Sequence, residues 1–166
     1  MMGLRSFFFA ADIGHYLADA HVPLHTTLNY NGQLSNQKGI HAFWESWLPE
    51  LFSANYDFFL PKVKYCDNVL DLAWKTIEHS HSAKDSVLLF EEELNNRYAS
   101  DRKYSFEERT STSVKVYSKE YSEDYHQMLN GMVERQMQRS IYAIASVWYS
   151  AWVDAGQPEM TKWKVE

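Results

Sequence analysis

Histidines and carboxylates concentrate in one stretch of the chain, from His15 to Glu45, which holds four of the seven histidines. His15 and Asp19 are four residues apart, as are His41 and Glu45. On a helix that spacing places two side chains one above the other on the same face. Two such pairs can face each other, and His25 lies between them in the sequence. Together they offer three imidazoles and two carboxylates, the donor set that zinc takes at hydrolytic sites. A lone H-x-x-x-D pair carries little information, because helix faces use such pairs for ordinary i,i+4 contacts. Its specificity comes from the combination.

The elements that must position these residues are legible on either side of them. Leu4 to Ala20 reads as a helix that is apolar on nearly every side, Phe7-Phe8-Phe9 included, and this predicts burial against several neighbours. Pro23 cannot continue that helix and disfavours helical geometry at Val22, so the helix ends near Ala20 and His25 sits in a turn just past it. A polar loop over 29–36 then leads to a second helix, capped by Ser35 or Asn36 and running from Ile40 to about Phe52, with a kink or early end at Pro49. His41 and Glu45 fall in its first turns.

Asp12-Ile-Gly-His-Tyr-Leu-Ala-Asp-Ala-His-Val-Pro-Leu-His25, followed by Gly39-Ile-His-Ala-Phe-Trp-Glu45, resembles the superfamily of zinc-dependent phospholipases C and single-strand-specific zinc nucleases. The shared pattern is H-x-x-x-D-x-x-x-x-x-H, then H-x-x-x-(E/D), and it covers about residues 12–51. The resemblance implies an all-α, multi-helix fold and hydrolysis of phosphodiesters by a water that a three-zinc cluster activates. Carried over by position, His25, His41 and Glu45 make one zinc site; His15 and Asp19 serve a second, with Asp19 bridging to a third. His15 and Asp19 are thereby the residues closest to catalysis. The family's remaining ligands lie upstream of this motif: a tryptophan, two histidines and an aspartate. The resemblance therefore implies that 1–166 is a single helical domain corresponding to the C-terminal part of such a hydrolase, with the N-terminal half as its missing partner. It also implies a secreted or periplasmic protein, a compartment the chain itself does not assign. Substrate is either phospholipid or single-stranded nucleic acid, and Glu45, where the nucleases more often carry aspartate, leans slightly toward phospholipid.

The rest of the chain is read as helical scaffold. Lys62 to about His79 and Lys84 to Tyr98 are expected as separate helices, broken at Ser80-His-Ser82, with Ser82 and Asp85 as an acidic capping box. The stretch from Ser100 to Ser113 reads as loop. A long helix follows from Ser122, its cap, to Gly156; its stripe of Tyr125, Met128, Met132, Val133, Met137, Ile141, Ile144, Trp148 and Trp152 is expected as core. His79 and His81 are expected at the surface and His126 and Cys66 in structural or surface roles. His21 is expected to line the cleft or bond to the loop, and Asp12 to orient His15 or be solvated.

At 166 residues the chain can bury a real core, and its 45% hydrophobic and 16% aromatic content excludes a disordered protein. A formal charge of −6 disfavours broad attraction to nucleic acid, although metal ions can invert the field locally. Cys66 stands alone, so neither an internal disulfide nor a cysteine zinc site can form. Two other classes of function compete with a hydrolase. One is a helical fragment with a single structural zinc at His25, His41 and Glu45. The other is a partner-binding module, or a self-associating chain, that uses the Phe7–Phe9 face.

Overall fold

The computed structural model describes residues 4–109 and 112–159. It is mostly helical, with one small two-stranded sheet. Helix α1 (Leu4–Ala20) leads into a single 3-10 turn (Pro23–Thr26). After the 29–39 loop the chain is helical from Ile40 to Phe52 in three consecutive pieces: α2 (Ile40–Ala42), a π-helical turn (Phe43–Trp47) and α3 (Leu48–Phe52). Then come α4 (Val69–Arg97), the antiparallel hairpin β1 (Tyr104–Arg109) and β2 (Thr112–Tyr117), α5 (Lys119–Met128) and α6 (Met132–Asp154). Among the described residues no helix is long and apolar enough to cross a membrane.

The core lies directly beneath the segment that carries His41 and Glu45. Leu24, Ile40, Phe43, Trp44 and Leu48 come from that region and pack with Val87 and Leu94 of α4, Tyr121, Tyr125 and Leu129 around α5, and Val133 of α6. Each such side chain contributes about 1.5–3 kcal/mol through burial. The ring of Phe43 stacks on Tyr117 at 3.8 Å between centroids and on Tyr125 at 5.0 Å, so the end of β2 and the middle of α5 both fix its position.

The interior also holds a polar network. Gln37 donates through Nε2 to the Leu88 carbonyl and to Oε2 of Glu91, and Glu91 is 1% exposed. Oε1 of Glu91 accepts from Nζ of Lys103 and from the Tyr121 hydroxyl. The loop before α2, helix α4, the approach to β1 and helix α5 therefore meet on one carboxylate.

Several sequence expectations are corrected by long-range packing. The 62–68 segment has no regular secondary structure, and α4 starts only at Val69, where Asn68 accepts from the Asp71 amide. No break occurs at 80–82. Ser80 is fully buried and accepts from Gln136 Nε2, while Ser82 donates to the His79 carbonyl one turn back, so neither serine caps. The buried face of α4 is Thr76, Ser80, Val87, Glu91 and Leu94, leaving Leu70 and Trp74 exposed. Within the stretch read as loop, Tyr104–Arg109 forms a strand that pairs with Thr112–Tyr117. The last helix begins after Ser118, whose hydroxyl accepts from the Tyr121 amide, and Ser122 instead takes the Trp47 indole N–H. It is interrupted at Asn130-Gly131, where both residues are left-handed at φ +47° and +72°. Within α6 the buried set is Val133, Gln136, Ala143, Ser146, Val147 and Ser150, and Ile141 and Trp148 are half-exposed.

Helix α1 rests on α6 and α4 through Gly14 and Leu17, while Phe8 and Phe9 remain 61% and 70% exposed. The α1–α6 contact needs glycine at 14. A Cβ there would lie 3.2 Å from the ring of Trp148, which is itself held by its indole N–H donating to the Ala10 carbonyl. Gly14→Val is therefore expected to destabilise the chain by about 1–3 kcal/mol through overpacking. An unchanged urea midpoint would mean that the two helices separate freely.

Candidate metal centre

His25 and His41 reach the same point from two different elements. Pro23 opens the 3-10 turn that follows α1, and this turn delivers His25. It is held from across the molecule by His81 of α4, whose Nδ1 lies 3.0 Å from the Thr26 carbonyl. His41 and Glu45 come from the helical segment over the core. That segment starts not from a Ser35 or Asn36 cap but from Gly39, whose φ of +103° excludes most side chains.

The π-helical turn has a local cause. Pro49 has no N–H, and its ring would collide with the carbonyl four residues back, that of Glu45. The chain responds by widening the preceding turn, so that the Leu48 amide bonds to the Phe43 carbonyl five residues back, and Pro49 falls in the first turn of α3. Pro49 thus produces no early end, and the segment runs on to Phe52. It reshapes the turn that presents Glu45.

Nε2 of His25, Nε2 of His41 and a carboxylate oxygen of Glu45 converge, and this group could hold a metal ion. The two nitrogens are 3.0 Å apart; Oε2 of Glu45 lies 2.7 Å from His41 Nε2 and 3.5 Å from His25 Nε2. Donors bound tetrahedrally at ~2.0–2.2 Å from zinc sit ~3.3–3.5 Å from one another, so small side-chain rotations bring the short edges into range. His41 Nδ1 faces the Tyr30 carbonyl at 3.1 Å, which sets N–H on that nitrogen, and His25 Nδ1 has Oδ1 of Asp19 at 3.7 Å, beyond hydrogen-bond length. With N–H at each Nδ1, both Nε2 lone pairs point at one another and at a carboxylate. One added proton on His41 Nε2 relieves only one of its two short contacts, whereas a single cation relieves both.

Asp19 and His15 are placed differently. Oδ2 of Asp19 is 3.4 Å from Nε2 of His15, whose side chain is 71% exposed, and the other oxygen backs His25. Asp19, His25 and His41 line a depression of about 520 Å³ together with Tyr16, Thr26, Thr27 and Tyr30. His15 stands outside that lining.

Sequence spacing could not find the residues that hold this site in place. His81 and the Tyr30 carbonyl carry no pattern. Gln136 of α6 donates to the His21 carbonyl, four residues before His25. His21 itself bonds the Leu17 carbonyl through Nδ1, and burial pushes its pKa down. It is an anchor for the end of α1, where the sequence reading had it lining the cleft or bonding to the loop.

No known family, curated protein or solved structure matches this chain. Its function is therefore argued from the donor geometry and the motif.

A second histidine yields a pH test of the scaffold. His126 Nε2 lies 2.8 Å from the Tyr56 hydroxyl, and burial lowers the His126 pKa below 6.5, while burial and then Glu134 push Tyr56 up to about 12. A histidine whose pKa is lower folded than unfolded binds protons more readily in the unfolded state. Its contribution is fully present above the unfolded value of about 6.5 and is lost as pH falls from there toward the folded value. The urea midpoint is expected to drop between pH 7 and pH 5, and His126→Gln, which can still accept from Tyr56, should flatten that slope. An equally steep slope in the variant would exclude His126 as a contributor.

Proposed function

We propose that this chain is a zinc-dependent phosphodiester hydrolase of the phospholipase C and single-strand nuclease type, with His25, His41 and Glu45 as its best-formed zinc site. The observation that carries the reading is the convergence of two imidazole lone pairs and a carboxylate whose outer nitrogens are already turned toward oxygen acceptors. Nitrogen and carboxylate donors without thiolate suit zinc at a hydrolytic centre. Bound there, the metal supplies Lewis acidity that lowers the pKa of a water and offsets charge on phosphoryl oxygens.

The protein's own side chains have separate tasks. The Tyr30 carbonyl accepts from Nδ1–H of His41 and leaves its Nε2 lone pair free for a metal, while Asp19, 3.7 Å from His25 Nδ1, is the nearest carboxylate to the second imidazole. Asp19, on the rim of the depression, is placed to accept a proton or to bridge to a further cation with His15. Thr26 and Thr27 line the depression that would take a phosphodiester, and the aromatic Tyr16 and Tyr30, 68% and 54% exposed, line it as well. Such rings suit either an unstacked base or a quaternary ammonium headgroup. Glu45 favours the phospholipid.

Zinc analysis of the dialysed chain, combined with hydrolysis assays on phosphatidylcholine and on single-stranded DNA, tests this reading. At least one equivalent of zinc and chelator-sensitive hydrolysis of one substrate are expected. Absence of zinc would remove the proposal. One equivalent with no turnover would favour a structural zinc, the reading to which the exposure of His15 points, since among the described residues only the His25 group brings three donors together.

A further inference from the structure

A cavity of about 680 Å³ lies away from the candidate metal centre, between the 60–66 segment, the first half of α4 and the middle of α6. It shares no lining residue with His25, His41 and Glu45. That volume is within the ~300–1,000 Å³ range of small-molecule sites.

Its charge runs against the rest of the molecule. In a chain of formal charge −6, this cavity is lined by Lys64, Lys75, Arg139 and His79 and by no carboxylate. Lys75 is neutralised by Asp71 at 2.7 Å. Arg139 is not neutralised: its Nη1 donates to Gln136 Oε1 at 3.0 Å and contacts His79 Nε2, both uncharged acceptors. Burial, and then Arg139 itself, lower the His79 pKa, which keeps that ring neutral and able to accept. Both described bonds use one terminal nitrogen, and they orient the guanidinium while its Nε–H and second terminal nitrogen have no acceptor among the described residues. Lys64 likewise has no ion-pair partner among the described residues. A planar guanidinium fork and a second cation on the lining of one cavity offer the donors that a phosphate takes.

The remaining wall is apolar and aromatic, with Leu60, Pro61, Leu72 and Tyr142 prominent. Ser146, 4% exposed, is among the lining residues, and its buried hydroxyl has no hydrogen-bond partner among the described residues, an omission that buried hydroxyls seldom show. Inorganic phosphate alone would leave that wall and most of the volume unfilled.

We propose that this cavity is a second ligand site, which takes a small organic phosphomonoester of about nucleotide size, with Arg139 and Lys64 binding the phosphate and the apolar wall covering the organic body. A phosphomonoester carries about −1.5 to −2 charge at neutral pH, which two unneutralised cations match. The inference does not depend on the zinc reading.

Isothermal titration of the full chain, kept in chelator so that no metal can hold phosphate, tests it. The probes are AMP, glucose 6-phosphate, adenosine and inorganic phosphate. Saturable one-to-one binding is expected for AMP or glucose 6-phosphate, and the tighter of the two tells an aromatic from a sugar body. Adenosine, which lacks the anion, and inorganic phosphate, which lacks the body, should each bind at least about tenfold more weakly. Arg139→Gln should weaken the phosphomonoester by about tenfold or more and leave adenosine unchanged. Lys64→Gln, on the 60–66 segment, should weaken it several-fold and guards against a folding defect in the Arg139 variant. Lack of saturable binding by both phosphomonoesters, equal binding of AMP and adenosine, or unchanged affinity in both variants would overturn the proposal.

Discussion

His41→Ala is expected to lower the zinc affinity of this chain by more than about 100-fold. Loss of a residue that merely orients a ligand already costs a metal site about 10–100-fold, and His41 is placed as a ligand itself. Its Nε2 is the vertex common to both short contacts, at 3.0 Å from His25 and 2.7 Å from Glu45. Without it, one imidazole and one carboxylate 3.5 Å apart remain, and two protein donors seldom hold zinc tightly. Stability without metal should behave differently. In the metal-free protein His41 is crowded by two groups with lone pairs, so its removal should leave the urea midpoint in chelator nearly unchanged while abolishing the stabilisation that zinc confers on the parent chain. Linkage makes that stabilisation a direct reading of affinity, since binding to the folded state alone adds RT ln(1 + [L]/Kd). Chelator-competition titration and melting with and without zinc are the measurements. Equal zinc uptake by parent and variant would show that the donors do not act together.

The parts of this site that follow from local geometry were legible in the sequence. The four-residue spacings of His15 with Asp19 and His41 with Glu45 needed only a helix, and Pro23 was enough to end α1 and put His25 in a turn. The π-helical turn at Phe43–Trp47 was half legible: Pro49 announced a disturbance, but whether a helix kinks, stops or widens depends on what anchors its sides, here Phe43 stacked on Tyr117 and Tyr125. The scaffold was harder for the same reason. Ser80 and Ser82 look like a helix break until Gln136, 56 residues further on, takes Ser80 into the core. The hairpin β1–β2 has few buried side chains on either face, so it lacks the one-sided alternation that marks a half-buried strand, and only Tyr104 and Tyr117 at its base join the aromatic cluster. Asn130-Gly131 is a turn dipeptide that the apolar spacing on both sides concealed.

The largest effect on folding is expected from Glu91. Its carboxylate is 1% exposed and accepts from Gln37 at 2.8 Å, Lys103 at 2.8 Å and Tyr121 at 2.7 Å. Removing one member of a buried, hydrogen-bonded ion pair typically costs about 3–5 kcal/mol, because the partner's charge stays behind without compensation. In Glu91→Ala the Lys103 ammonium, whose side chain is 12% exposed, loses its counter-charge and keeps only the neutral Asn95 Oδ1, the Tyr121 hydroxyl loses its short bond, and the Gln37 amide keeps only the Leu88 carbonyl. Such a loss is a large share of the 5–15 kcal/mol that holds an ordinary domain together. The effect should also reach the metal centre. Gln37 sits two residues before Gly39, the left-handed start of the segment that carries His41 and Glu45, so a Gln37 tied to α4 by one bond instead of two loosens that start. Urea unfolding in chelator measures the first effect and zinc titration of the folded fraction the second. The double variant Glu91→Leu with Lys103→Met, which removes both charges and keeps the volume filled, should recover most of the stability, as buried ion pairs replaced by apolar groups often do. If Glu91→Ala unfolds within about 1 kcal/mol of the parent chain, the carboxylate is not the point on which these four segments depend.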